Sequence, residues 1–185
     1  MSVWVYATAG LCSIGLAQPS TPDQAASALN AGNVPDPYST FQAGVRMFEG
    51  DFFHQAGEIF DQWLQFFPDH ELHQNVSEYA IWARGEHAVS ESDYSKAAVS
   101  FSQLLRDYPQ SKHRLDHAFG EAWSRFYLQQ YERVAELLTD ENAPYTQAVL
   151  KTETTGDPRA TSLRLKGQLL LAETWLKTGQ FDRTK

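Results

Sequence analysis

The chain repeats itself. Gly44, Ala56, Phe60 and Pro68 recur as Gly85, Ala97, Phe101 and Pro109, each 41 residues further on. Within each copy the Gly-to-Ala step is 12, the Ala-to-aromatic step 4 and the Ala-to-Pro step 12. A fixed internal period marks stacked supersecondary units, each burying a face against the next. The copy Glu78–Pro109 reads as two amphipathic helices around a polar turn at Ser90–Asp93. Ile81, Trp82, Gly85 and Val89 lie on the packing side of the first helix. Ala97, Ala98, Phe101, Leu104 and Leu105 do so on the second. Each repeated residue has a steric task. Gly and Ala let two helix backbones approach closely. The ring one turn past the Ala fills the wedge between them, and Pro cannot continue the helix.

Two further copies follow on periodicity. Phe53 and Tyr94 each lie nine residues past their Gly, and Tyr131 lies nine past Ala122. That register puts Ala122 at the small position and Val134 at the Ala position of a third helix pair, with Ala135 the rival by one residue and the turn near Gln129–Gln130. A polar excursion, Thr139–Pro158, holds a short predicted helix at Tyr145–Lys151. From about Ser162 a fourth copy begins, with Leu165, Leu169, Ala172, Trp175 and Leu176 predicted on its packing side and Phe181 nine past Ala172. Its second helix would start where the sequence stops at Lys185. An exposed end repeat calls for a cap, so the expectation is a chain that continues into more repeats or another domain.

The Gly–Ala–aromatic–Pro pattern resembles the tetratricopeptide repeat family, whose units are about 34 residues long. The resemblance covers Pro37 to Lys185. It implies an all-α fold, a right-handed superhelical solenoid of antiparallel helix pairs with about three and a half repeats. These fall near residues 37–70, 78–111, 115–148 and 162–185, with Glu71–Ser77 lengthening a first helix. The endings FFP and DYP and the spacing near 40 are similar to those of bacterial envelope repeat proteins, the outer-membrane assembly lipoproteins and the Tol-Pal accessory protein.

The N-terminus fits an exported protein. Val3–Ala17 is a 15-residue uncharged run, too short to span a membrane. Gly15 and Ala17 suit a signal-peptidase cut before Gln18, although no Lys or Arg precedes the run. Residues 1–17 are therefore expected to be a signal peptide and the chain periplasmic or envelope-associated. Lipoprotein anchoring through Cys12 is not expected, because Leu11 stands where a small residue belongs. Residues 18–36 are rich in Pro and Ser and read as a linker.

A net charge of −8 opposes binding to nucleic acid or to an anionic membrane surface. One cysteine allows no internal disulfide and no Cys-based zinc site. No nucleophile motif or Gly-rich phosphate loop is present, so no enzyme activity, catalytic residue, cofactor or small-molecule substrate is expected. His70/His73 and His113/His117 are the only His pairs. The second sets two imidazoles a helical turn apart, but with no third ligand in the motif a metal site is not expected. Asn75-Val76-Ser77 matches a glycosylation acceptor, relevant only in a eukaryotic secretory setting.

What remains is the aromatic content. In the family resembled, the first helix of each repeat lines a groove. Carried over, those positions are Tyr38, Phe41, Val45 and Phe48, then Tyr79, Trp82, Glu86 and Val89, then Phe119, Trp123 and Phe126. Trp82 and Phe41 are the positions expected to be partly exposed; the competing expectation is that these side chains pack repeat on repeat. The carboxylate clamp of some members is absent, because Phe41, Val45, Tyr79 and Ala83 occupy its places. The expected role is a non-enzymatic scaffold that takes a peptide or partner helix in a groove between repeats. The alternatives are the repeat arm of a larger envelope-biogenesis protein or enzyme, and self-association through the C-terminal repeat.

Overall fold

The structure is a computed structural model that describes residues 36–152 and 157–180. The expected leader, Cys12, the linker up to residue 35 and the turn aromatic Phe181 lie outside those residues. The described residues form helices and turns with no strand: α1 (Pro37–Glu49), α2 (Phe53–Phe66), α3 (His73–Ser90), α4 (Tyr94–Asp107), α5 (Arg114–Tyr127), α6 (Tyr131–Thr139), α7 (Pro144–Thr152) and α8 (Pro158–Lys177). Each helix from α1 to α6 packs on the next. The first helices α1, α3 and α5 also touch one another, and α8 closes over α5 and α6. This arrangement is compatible with a helical repeat.

The repeat is written in the backbone. Asp51, Ser92, Gln129 and Gly179 all have positive φ, between 59° and 74°. Each follows a first helix and stands two residues before Phe53, Tyr94, Tyr131 or Phe181. The same two hydrogen bonds close every turn. The N–H groups of Phe52, Asp93, Gln130 and Gln180 reach back to the carbonyls of Met47, Ala88, Arg125 and Trp175 at 2.8–3.0 Å. Those of Asp51, Ser92, Gln129 and Gly179 reach Phe48, Val89, Phe126 and Leu176. This pairing satisfies the last carbonyls of the helix and, after α1, α3 and α5, reverses the chain. It settles the third register: Ala122 and Val134 are wholly buried, while Ala135 is half-buried.

Second helices end alike too. Phe67 and Tyr108 share an extended-side conformation (φ −129° and −124°) ahead of Pro68 and Pro109, as a residue before proline must leave the helical region. Asp36 and Asp157 cap α1 and α8, their carboxylates accepting from Ser39 and Arg159 N–H groups, with Pro next in each case.

The wedges form as the repeat implied. A Cβ on Gly44 would overlap the Phe60 ring, and one on Gly120 would overlap Phe101. Phe101 therefore sits between α3 and α5, held by Gly85 on one side and Gly120 on the other. Two core clusters meet on α4, where Leu104 belongs to the first and Leu105 to the second.

Three expectations need correction. Helix α3 starts at His73, later than a helix lengthened by all of Glu71–Ser77, because the turn after Pro68 uses those first residues. Helix α8 starts at Pro158, ahead of Ser162. Its packing side is Ala160, Gly167, Leu170 and Thr174, and Leu165, Leu169 and Leu176 point to solvent. The helix carries apolar residues all round, so periodicity alone could not say which side faces the core. The predicted helix in the polar excursion forms as α7. It buries Tyr145 and Ala148, and the Tyr145 hydroxyl donates to the Arg164 carbonyl at 3.2 Å beside Gly167.

Candidate functional site

Aromatic residues of α1 and α3 and the two histidines at the start of α5 form one continuous ladder. Phe41 meets Tyr79 edge-on at 5.6 Å, and Phe48 lies 4.6 Å from Trp82. Trp82 in turn contacts His113, which precedes α5, at 4.8 Å and His117 on α5 at 4.9 Å. Such offset and edge-on pairs add to the area they bury. The ladder runs across three helix pairs and is mainly packing.

Burial separates the expected groove residues. Trp82 is 2% exposed and Phe48 9%. Trp82 is thus a core residue, contrary to the expectation of partial exposure, because His113 and His117, at the start of α5, pack against the indole. Phe41, Val45, Tyr79, Glu86, Val89, Phe119, Trp123 and Phe126 are half-buried, and Tyr38 is exposed. Phe119, Trp123 and Phe126 pack against the second core cluster, away from the others.

Of the predicted set, Phe41, Val45 and Tyr79 line one cleft. It has a volume of about 880 Å³ and opens between α1, the start of α3 and the turn from α4 to α5. Its polar lining includes Gln42, Arg46, Gln74, Glu78, Ser111 and His113. Glu78 accepts from the Ser111 hydroxyl at 2.5 Å, and the Tyr79 hydroxyl lies 3.3 Å from His113 Nε2. Burial pushes the Glu78 carboxyl and the Tyr79 hydroxyl up, and it pushes His113 down to about 4. At neutral pH His113 is an uncharged imidazole, and the Ser111 hydrogen is committed to Glu78. The cleft offers hydrogen-bonding groups over an apolar floor.

Behind it lies a buried polar layer. His117 is fully buried with neither ring nitrogen hydrogen-bonded. Its Nε2 is 3.7 Å from Glu78, beyond hydrogen-bond reach, and burial with neighbouring positive charge holds its pKa at about 3. Trp82 Nε1 donates to Glu86 at 3.0 Å. Burial still dominates there and lifts the Glu86 carboxyl to about 7, with Asp116 adding to the effect. Arg159, at the start of α8, reaches back to Asp116 through Nε at 2.9 Å and Nη2 at 2.7 Å. Its guanidinium lies 5.9 Å from the Trp82 ring centre.

Sequence reasoning singled out His113 and His117 only as a weak metal pair. The structure uses both to cover Trp82. Asp116 and Arg159 were not anticipated; they are 43 positions apart, and no local pattern links them. Among the described residues no group of three metal-ligating side chains converges. His70 instead packs against Trp63 and Tyr38, each at 5.3 Å. No helix among the described residues is long and apolar enough to cross a membrane. Comparison with protein-family models, with curated proteins and with solved structures finds no match for the chain.

Proposed function

We propose that the chain is a tetratricopeptide-like repeat protein that binds another protein, taking an extended or helical segment into the cleft between α1, α3 and the α4–α5 turn. The observation that carries this reading is the cleft itself. It is about 880 Å³ in volume, with an apolar floor of Phe41, Val45 and Tyr79 and a rim of hydrogen-bonding side chains. Peptide grooves pair apolar anchors with main-chain hydrogen bonding in this way. In this proposal the solenoid is right-handed, the role is non-enzymatic scaffolding without a cofactor, and the protein works in the bacterial envelope after export. The uncharged run at residues 3–17 supports the export part.

Panning a random-peptide display library on the full chain tests the reading. Selected peptides should lose at least about tenfold in affinity to Val45→Glu. They should bind normally to Val99→Glu, a change at an exposed residue of α4 that does not line the cleft. Peptides that ignore Val45→Glu, or a failure to enrich any peptide, would count against the cleft.

A further inference from the structure

Helix α8 is apolar on two opposite sides. Leu170 and Ala160 face the body of the protein, whereas Leu165, Leu169 and Leu176 are 56%, 63% and 53% exposed. Single exposed leucines need no explanation. These three, with Ala172, follow steps of four, three and four residues, the spacing of a helix–helix seam. Helix α3 has the same all-round apolar character, and it is covered by α2 on one side and by α4 on the other. The outer side of α8 has the pattern of a covered surface.

We propose that this side of α8 pairs antiparallel with the same side of a second copy of the chain. The charges beside the seam select that occupant and that direction. Lys166 and Glu173 are seven residues apart and lie on the same flank of the leucine stripe. About a two-fold axis like flanks of antiparallel helices face each other, so Glu173 meets Lys166 of the partner subunit, and the pair forms twice. A parallel pair would set that flank against Thr161, Gln168 and Trp175 and gain no ion pair. Lys166 has an interaction within its own chain, and an ammonium with three donors can make a second. Few leucines are buried per copy, so the dimer is weak, with a dissociation constant on the order of 10–100 μM.

Sedimentation equilibrium of the full chain across the micromolar range is the test. The mass should climb from the 20.9 kDa of the monomer towards twice that value. Leu169→Glu should hold the chain monomeric with an unchanged melting temperature. Glu173→Lys should weaken association about tenfold, and adding Lys166→Glu to it should restore association. A wild-type chain that stays at monomer mass overturns the proposal, as does a Leu169→Glu variant that still dimerises. A fall in the melting temperature of Leu169→Glu measured well below the dissociation constant, where the parent too is monomeric, also overturns it, because the face would then be covered by residues of the same chain. Failure of the double charge reversal to restore association removes the antiparallel pairing.

Discussion

His117→Leu should flatten the acid sensitivity of this fold. The imidazole is fully buried against the edge of Trp82, and neither nitrogen has a hydrogen-bond partner. Burial first, then the neighbouring His113 and Arg114, brings its pKa down to about 3 in the folded chain, against about 6.5 for a histidine in an unfolded one. A depressed pKa means the unfolded chain takes up a proton that the native chain refuses. The stability contribution is therefore complete above pH 6.5 and drains away as the pH falls towards 3. For this one group the loss between about pH 7 and pH 5 is about 2 kcal/mol, and over the whole range it is bounded at about 5 kcal/mol. Leucine has a similar volume, does not titrate and leaves no polar atom unpaired. The variant should match or exceed the parent at pH 7, by about 1 kcal/mol or more, and should lose about 2 kcal/mol less on acidification. Urea unfolding followed by tryptophan fluorescence at about pH 7, 6 and 5 measures both. His113 and the carboxylates titrate in parent and variant alike, so their effects cancel in the difference. Equal pH slopes for the two proteins would refute the reasoning, as would a variant less stable by more than about 2 kcal/mol at pH 7, since that would mean His117 is paired in the native state.

Trp82→Ala should cost about 3–5 kcal/mol, because it removes a buried indole that supports Phe48, Tyr79, His113 and His117 together; an unchanged urea midpoint would show the ring to be dispensable. Gln129→Gly should stabilise the chain by about 1 kcal/mol. Gln129 holds φ at 59°, where a Cβ is strained and the fourth turn uses Gly179. A thermal melt with no upward shift would contradict this.

The helix pairs were legible because the signals that make them are local. The Gly–Ala–aromatic–Pro spacing, the turn aromatics Phe53, Tyr94 and Tyr131, and the prolines at 68 and 109 act within a few residues of where they stand. The candidate site was only partly legible. Phe41, Val45 and Tyr79 line one cleft. Phe48 and Trp82 carry the same helical spacing and went to the core. An aromatic at a groove position is exposed or buried according to what the next repeat lays over it. Here that is His113 and His117, 31 and 35 residues further along the chain than Trp82.

The sequence by itself determined the helix pairs, their order and the turns between them, and those turns share a positive-φ residue and the same two backbone hydrogen bonds. The tertiary structure alone decided which face of α8 turns inward, where Leu170 is buried and Leu169 is not, and it alone brought Arg159 onto Asp116. Those outcomes depend on surfaces contributed by helices far apart in the chain. A helix that is apolar on two sides gives no local reason to bury one side and expose the other.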